Sequence, residues 1–234
     1  MNVQIVIMAG GLAKRLAKIA PGIPKSLIDI NGDPFIIHQL KYLKKQGFQS
    51  VHLCLGYLAD QIISKLNSRN NLDMNITYSL DGDSQLGTGG ALKKALDYCE
   101  DIFFVQYGDS YLPINYLDIY EHFINEEKKN SILTIYENKN KHDRSNVIYK
   151  ENQVFLYDKS LNNPRMSFID YGLSLIKKNE ILPILENEIN DLSEAYKILI
   201  NENKMIPYIV NERFYEIGKP EGIKEMKLYL ERLS

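Results

Sequence analysis

Short apolar runs alternate with segments of helical periodicity through the first half of the chain. Four runs rich in β-branched and aromatic residues indicate strands, at 3–8, 50–55, 76–80 and 101–106. Apolar residues at helical spacing predict helices between them, at 34–47, 60–66 and 88–99. Because strands and helices alternate, the pattern predicts an α/β fold with a doubly wound, mainly parallel, Rossmann-like sheet and helices on both faces.

Strand-like runs follow one another in the second half without long helices between them, at 131–136, 146–149, 153–157 and 166–175. Such a succession indicates an antiparallel insertion in the otherwise parallel sheet. Helices near 192–200 and 222–233 complete the chain. Because the chain has 234 residues and no linker of low complexity, residues 1–234 are expected to form a single domain.

Composition narrows the class of protein without adding a function. Apolar residues make up 44% and charged residues 25% of the chain, ordinary values for a soluble globular protein. The net charge of -2 argues against a nucleic-acid partner, because nucleic-acid binders usually carry a basic excess. Cys54 and Cys99 lie in or near apolar runs, which indicates buried, reduced thiols. No signal peptide or membrane span is recognisable, so we expect a cytoplasmic location and no membrane partner.

Two segments contain cations that suit phosphate groups. The loop A-G-G-L-A-K-R-L, at 9–16, follows the first strand, and open parallel sheets bind ligands at the carboxyl ends of their strands. Its glycines let backbone N–H groups approach a polyphosphate, which Arg15 can hold with its planar guanidinium. Lys25 follows Pro24, whose ring fixes the local backbone and restrains the lysine. A tight turn and a solvated lysine are the ordinary alternatives.

Two further segments follow the third and fourth strands. In L-G-T-G-G-A, at 86–91, Thr88 suits a helix N-cap, and the glycines allow a flat ligand such as a nucleobase to lie against the backbone. The N-terminus of that helix also favours anions. Asp109, after the fourth strand, is placed to hold Mg²⁺ between substrate phosphates. A capped helix and a turn aspartate would explain the same residues without a ligand.

In this order along the chain, the motifs resemble those of the nucleoside-diphosphate-sugar pyrophosphorylases, the sugar-1-phosphate nucleotidyltransferase family. The resemblance rests on A-G-G-x-x-x-R-L, on Lys25 ten residues after Arg15, on L-G-T-G-G and on Gly108-Asp109. The segment F-Y-E-I-G-K-P-E, at 214–221, looks like the closing motif of that family. The similarity spans nearly the whole chain and is of the kind found in small bacterial enzymes for heptose, mannose or hexosamine 1-phosphates.

The resemblance implies an enzyme, a sugar-phosphate nucleotidyltransferase, that joins an NTP to a sugar 1-phosphate. The products would be pyrophosphate and an NDP-sugar for cell-surface polysaccharide. Mg²⁺ would be the cofactor, and the acceptor phosphate would attack the α-phosphate in line. Residues 1–110 would form the NTP-binding half and residues 111–234 the acceptor-binding half.

Position in the family motifs also implies a role for each candidate residue. The catalytic residues would be Arg15, Lys25 and Asp109. The nucleotide would be bound by Ala9, Gly10, Gly11, Lys14, Gly87, Thr88, Tyr107 and Gly108. The acceptor would be bound by Lys159, Asp170 and Gly172, and Mg²⁺ by Asp109 and Glu216.

Three departures from the family pattern bear on these expectations. Ala13-Lys14 replaces the usual Gly-Thr and adds a cation near the phosphates. Glu216 stands where aspartate is commoner, so the metal would sit on a longer arm. Asp170 replaces the usual asparagine, which turns a donor and acceptor into an acceptor only. This last change leaves the identity of the sugar open, and the choice of NTP is open as well.

Several alternatives also stay open. Asp81-Gly82-Asp83 matches the D-x-D metal motif of a glycosyltransferase, which would release a nucleoside diphosphate, although a polar turn is the commoner explanation. A cytidylyltransferase for a non-sugar phosphate would differ only in base and acceptor. A relative that binds without turnover would keep the same fold. An exposed antiparallel patch would in addition support a homodimer.

Overall fold

A mixed β-sheet organises the described part of the computed structural model, which comprises residues 3–11, 21–68, 72–128 and 130–233. The elements of the first half are β1 Gln4–Met8, β2 Asp29–Ile30, β3 Asp33–Pro34, α1 Phe35–Lys45, β4 Ser50–Leu55, α2 Ala59–Asn67, β5 Asn75–Leu80, α3 Gly87–Ala95 and β6 Ile102–Tyr107. Those of the second half are β7 Ser110–Tyr111, α4 Tyr116–Asn125, β8 Ser131–Glu137, β9 Val147–Lys150, β10 Gln153–Tyr157, β11 Phe168–Lys177, α5 Lys178–Leu185, α6 Leu192–Asn201, β12 Met205–Val210, β13 Tyr215–Glu216 and α7 Pro220–Glu231.

The strands of the large sheet follow the order β10-β9-β11-β6-β1-β4-β5 in the described residues. The four strands β6, β1, β4 and β5 are parallel, and Ile5 of β1 pairs with Val51 on one side and Phe104 on the other. β11 is antiparallel to both β6 and β8, and β12 adds to β8 in parallel. The predicted fold, a mainly parallel sheet with an antiparallel insertion, is therefore confirmed.

Helices cover both faces of the sheet because its central strand is apolar on both sides. Alternate side chains of β1 enter different cores, as the two-residue period of a strand requires. Ile5 and Ile7 pack in a core with residues of α1, α2 and α4, whereas Val6 and Met8 pack in a second core with residues of α3, α5 and α6. A smaller third cluster lies beneath α7.

The four strands predicted in the second half follow one another as β8, β9, β10 and β11 with no helix between them, but the helices on either side of this run, α4 and α5, were not predicted. α4 buries Tyr116, Ile119 and Phe123 at helical spacing, and α5 follows β11 directly. α5 contains Pro183, a residue that ordinarily interrupts helical patterns. The strand β12 was not predicted for a similar reason, because it contains Pro207. The sheet tolerates this proline because β12 pairs only with β8 in the part of the chain described.

Thr88 does not act as the predicted N-cap of α3, because that helix already begins at Gly87. Its hydroxyl oxygen instead accepts a hydrogen bond of 2.8 Å from the backbone N–H of Leu192, the first residue of α6. Gly89 allows this close approach, because a Cβ at that position would lie 2.2 Å from the Ile189 carbonyl oxygen. The glycine-rich entry to α3 therefore serves packing between distant segments.

Both cysteines are buried and free, as the sequence predicts. Burial raises the pKa of each thiol to about 12, so neither is a ready nucleophile near neutral pH. Within the described ranges, no helix has the length and apolar character needed to cross a membrane.

The contact between Thr88 and Leu192 makes a stability prediction. Thr88→Val keeps the side-chain shape but leaves the Leu192 N–H without its acceptor, so we expect the free energy of unfolding to fall by about 1–2 kcal/mol. Thr88→Ser retains a hydroxyl and should recover most of that loss. Urea denaturation of the three proteins measures the effect, and equal stability of the Val and Ser variants would contradict the assigned hydrogen bond.

Candidate functional site

The strand order reverses at β1, and a cleft opens at the carboxyl ends of the strands around this point. From β1 the chain passes to β4 and β5 on one side and returns to β6 on the other. Gly108 closes the seam, because its N–H donates to the Met8 carbonyl oxygen at 3.0 Å. A Cβ on Gly108 would lie 2.7 Å from the same oxygen, so only glycine fits there. Open α/β sheets bind ligands at such points.

The cleft has a volume of about 250 Å³ and brings together the majority of the predicted nucleotide-site residues. Those that line it are Ala9, Gly10, Gly11, Lys25, Gly87, Thr88, Tyr107, Gly108 and Asp109. Lys14 and Arg15 lie outside the described residues, so their predicted contacts with phosphate remain predictions.

Three polar residues that line the cleft, Ser26, Asp81 and Gln85, are not among the predicted nucleotide contacts. Asp81 and Gln85 both line the cleft, and Asp81 follows β5 at its carboxyl end. One Asp81 oxygen lies so close to Gly10 that a Cβ on the glycine would be 3.3 Å from it. Burial raises the pKa of Asp81, although the Leu86 N–H and the Lys94 ammonium oppose the shift. The rule that selected Asp109, a polar residue directly after a parallel strand, would also have selected Asp81.

The D-x-D interpretation of the same segment finds little support in the geometry. Asp81 is half-buried and faces the cleft, whereas Asp83 is exposed and is not among the described residues that line it. Gly82 between them has a φ of 90°, which makes the segment a turn.

Lys25 and Asp109, two of the predicted catalytic residues, form an ion pair in the cleft. Lys25 begins a short 3-10 turn at Lys25–Leu27, and Pro24 before it has a φ of -63°. The lysine Nζ lies 2.7 Å from Asp109 Oδ2, and the two side chains are 19% and 31% exposed. This partial exposure leaves both charged groups accessible to a ligand that enters the cleft.

Glu216 lies beside Asp109 because two short strands pair there. The β13–β7 ladder sets Glu216 opposite Ser110, and the Ile217 N–H donates to the Asp109 carbonyl oxygen at 3.0 Å. Burial raises the pKa of Glu216 to about 7, and repulsion from Asp109 and Asp143 acts in the same direction. A cation bound between neighbouring carboxylates would relieve the repulsion between them.

The residues present fit the predicted Mg²⁺ in the chemistry of their donors. Mg²⁺ prefers oxygen ligands and is commonly held by one or two carboxylates together with substrate phosphates. Asp109 and Glu216 supply two carboxylates. No group of three or more potential protein ligands occurs among the residues with described positions. The remaining ligands would therefore have to come from substrate and water.

The three predicted acceptor residues cluster beside Tyr107, at the edge of the cleft next to β11. Lys159 Nζ lies 2.8 Å from the Tyr107 hydroxyl, 4.3 Å from the centre of its ring and 2.9 Å from Asp170 Oδ2. Burial favours the neutral amine, but Asp170 and Tyr107 raise the pKa of Lys159, which keeps it charged. Gly172 has a φ of 94° at an irregularity in β11, and a Cβ there would lie 3.3 Å from the Tyr107 ring.

The histidines offer no general base in the cleft. His52 is fully buried in the sheet, where its ring nitrogens contact Thr77 at 2.9 Å and Ser79 at 3.0 Å. Burial lowers the pKa of His52 to about 4, so the ring is neutral near neutral pH. None of the four histidines is among the described residues that line the cleft.

Comparison with known proteins finds similar sequences and structures over most of the chain. The family model described as Nucleotidyl transferase matches residues 4–153, more than half of the chain. D-glycero-α-D-manno-heptose 1-phosphate guanylyltransferase from Campylobacter jejuni is 29% identical over 93% of this chain and 96% of its own length. The crystal structure of HddC from Yersinia pseudotuberculosis is 26% identical, with a TM-score of 0.81 over 97% of this chain and 99% of that one. A second HddC structure, complexed with GMP-PN, gives a TM-score of 0.80 with the same identity and coverage.

The raised pKa of Glu216 predicts a stability that depends on pH. An acid with a pKa of about 7 in the folded state and an ordinary value of 4.5 binds its proton more tightly when folded. The stabilisation of the folded protein by protonated Glu216 is therefore lost as the pH rises from about 4.5 through 7. Glu216→Gln removes this dependence, so the variant should match the parent protein near pH 5 and be the more stable of the two near pH 8.

Thermal unfolding in the presence of EDTA at both pH values measures the difference. Glu221→Gln alters an exposed glutamate nearby and serves as the control, for which no pH-dependent gain is expected. A Glu216→Gln effect of equal size at both pH values would show that the carboxylate does not titrate as described.

Proposed function

Because this chain belongs to the nucleotidyl transferase family, we propose that it condenses an NTP, GTP by preference, with a sugar 1-phosphate, giving an NDP-sugar and pyrophosphate. The observation that carries this proposal is the order of polar groups along one edge of the sheet. Asp81 follows β5, the Gly10-Gly11 loop follows β1, Asp109 follows β6, and Lys159 contacts the seam between β6 and β11.

That order suits a nucleotide laid across the strands. β5 and β6 are three strand spacings apart, or roughly 14 Å, which separates a base-binding end from a phosphate-binding end. We assign the base to the end near Asp81, the triphosphate to the Gly10-Gly11 loop and Lys25, and the acceptor to the end near Lys159. Residues 1–110 would thus supply most nucleotide contacts, and residues 111–234 most acceptor contacts.

A preference for guanine follows from the chemistry of Asp81. An ionised carboxylate is an acceptor only, and its two oxygens can receive two parallel N–H donors. Guanine presents two adjacent donors on its Watson–Crick edge, N1–H and the N2 amino group. Uracil, thymine, cytosine and adenine each set an acceptor beside their donor, which the carboxylate would repel. The guanylyltransferase from Campylobacter jejuni and the HddC structure with GMP-PN support the same choice.

The reaction itself needs alignment and neutralised charge. The acceptor phosphate is largely a dianion near neutral pH, because its second pKa is about 6, so it requires no general base. One of its oxygens forms a bond to the α-phosphorus while the bond from that phosphorus to the leaving pyrophosphate breaks. Lys25, and by prediction Arg15, hold the β- and γ-phosphates and stabilise the departing charge. The backbone N–H groups of Gly10 and Gly11 fix the triphosphate in line.

We assign Mg²⁺ to Asp109 and Glu216. When bound, the ion supplies positive charge between the two carboxylates and the substrate phosphates. The Lys25 ammonium lies 2.7 Å from Asp109 Oδ2 and neutralises part of this negative charge. Mg²⁺ that arrives with the substrates would neutralise Asp109 in place of Lys25. The lysine could then turn from the carboxylate to the phosphate oxygens.

A heptose 1-phosphate is the acceptor we propose first, because the Campylobacter jejuni relative that matches 93% of the chain acts on one by name. The product would then donate sugar to a cell-surface polysaccharide. Consumption of NTP makes the cytoplasm the expected compartment. A homodimer remains a prediction.

A substrate screen tests the reaction and the two charged residues together. With the purified protein and D-glycero-α-D-manno-heptose 1-phosphate, we expect GTP to give faster pyrophosphate release than UTP, CTP or dTTP. Lys25→Ala and Asp109→Ala should each lower kcat by about 10²–10³, the usual effect of losing one preorganised charge contact. Lys41→Ala, which removes an exposed ion pair to Asp33, is the control and should stay within about twofold.

Near-normal turnover in a folded Lys25→Ala or Asp109→Ala protein would refute their assigned roles. Release of a nucleoside diphosphate from an added NDP-sugar, with no pyrophosphate released from any NTP, would favour the glycosyltransferase alternative, and binding of GTP without turnover would favour the non-catalytic one.

The guanine assignment has its own test. Asp81→Asn puts an amide donor opposite one of the two guanine donors, so we expect kcat/KM for GTP to fall by about 10–100-fold. ITP lacks the N2 amino group, so the parent protein should prefer GTP to ITP and the variant should lose most of that preference. Asp83→Asn, at the exposed neighbour, should change neither value. An equal loss for every NTP would mean that Asp81 does not read the base.

A further inference from the structure

Asp170 is surrounded by hydrogen-bond donors from the protein itself. Its Oδ1 accepts the Gly172 N–H at 3.0 Å, and its Oδ2 accepts both the Tyr157 hydroxyl and the Lys159 ammonium at 2.9 Å. The Asp170 side chain is only 2% exposed. A carboxylate that is this enclosed and already bonded through both oxygens offers little to a sugar hydroxyl.

Lys159 differs from Asp170, because part of its side chain is exposed. Its side chain is 34% exposed, although its Nζ contacts both Asp170 and the Tyr107 hydroxyl. A lysine has three N–H donors, so these two contacts leave one for another acceptor. Tyr107 also lines the cleft with Gly108 and Asp109, which puts Lys159 at the acceptor end of the site.

The donors around Asp170 require a carboxylate rather than an amide. Asparagine has one acceptor oxygen, and its NH₂ group would face either the Gly172 N–H or the Lys159 ammonium. Either orientation sets donor against donor, and the Tyr157 hydroxyl can relieve only its own contact by turning. The Gly172 N–H cannot turn away as a hydroxyl can, because it belongs to the backbone of β11.

We propose that Asp170 is a positioning residue that fixes the Lys159 ammonium against Tyr107 for the acceptor phosphate and does not itself bind the sugar. The inference rests on the proposed function for the identity of the ligand. It gives the replacement of the usual asparagine a physical reason, because a carboxylate here belongs to a buried ion pair with a lysine. The sugar hydroxyls must then be read by other groups.

A double-mutant cycle distinguishes action through Lys159 from direct contact with the sugar. The variants are Asp170→Asn, Lys159→Met and the double variant, assayed by pyrophosphate release with GTP and D-glycero-α-D-manno-heptose 1-phosphate. We expect Asp170→Asn to raise KM for the sugar phosphate by about tenfold or more, the loss of one charge-assisted contact, with KM for GTP changed by less than about twofold. In the Lys159→Met background, the additional effect of Asp170→Asn should be less than about twofold.

Glu180→Gln is the matched control, because it breaks another partly buried ion pair, to Lys177 at 2.8 Å, at the far end of the same strand. Its KM for the sugar phosphate should stay close to that of the parent protein. An Asp170→Asn effect that persists in full without Lys159 would overturn the inference in favour of direct contact with the acceptor. A rise in KM for GTP of the same size would mean a general structural defect and would also overturn it.

A measurement without substrates keeps the inference testable if the proposed reaction fails. Lysines react with acetic anhydride as free amines, and loss of the Asp170 charge should make Lys159 at least about tenfold more reactive, equivalent to one pKa unit. Acetylation of Lys41, measured in the same digest, controls for reagent concentration and pH and should be the same in both proteins. Unaltered Lys159 labelling in folded Asp170→Asn would refute the positioning role whatever the enzyme assay gives. A parent protein that is inactive on every substrate pair, with the labelling change present, would refute only the proposed function.

Discussion

The close contact between Gly108 and the end of β1 is the constraint on which the site depends. It brings the carboxyl ends of β1 and β6 together at the point where the strand order reverses. The residues on either side of Gly108 then lie at fixed places along the seam. Tyr107 contacts Lys159 on the β11 side, and Asp109 contacts Lys25. One glycine without room for a Cβ thus sets the spacing between the two halves of the site.

The two lysines proposed to bind substrate phosphates each contact a carboxylate of the protein. Lys25 pairs with Asp109 and Lys159 with Asp170, but the two pairs differ in how far they are enclosed. Both members of the first pair are partly exposed, so a ligand that enters the cleft can reach each of them. In the second pair the acid is buried and the lysine is not, which favours a permanent contact. Charges held in place before the reaction cost little reorganisation when the transition state forms.

The sequence could predict the parallel half of the fold and the segments that meet at its edge. Strand and helix periods are local properties of the sequence. Because open parallel sheets bind ligands at the carboxyl ends of their strands, these periods were enough to predict that Lys25 and Asp109 lie close together. It could not predict that Thr88 bonds to Leu192, since that contact joins segments more than a hundred residues apart. The expected cap was wrong for the same reason. Pro207 and Pro183 are the reason that β12 and α5 were not predicted. The effect of proline on a strand depends on whether that strand lies at the edge of the sheet, and its effect on a helix depends on its position in the helix, neither of which is visible in the sequence.

Asp81 and Asp170 illustrate why residue type alone does not decide function. Both are aspartates near the edge of one sheet, and sequence motifs drew attention to each. Asp81 faces the cleft, and its raised pKa reflects burial that its hydrogen-bond donors do not fully compensate. Asp170 has three donors from Gly172, Tyr157 and Lys159 and almost no exposed surface. An acceptor whose capacity is not yet filled is available to a ligand, whereas one already satisfied by the protein can only orient its partners. For these two residues, the different sets of donors around each carboxylate support the proposals that Asp81 recognises a base and that Asp170 positions a lysine.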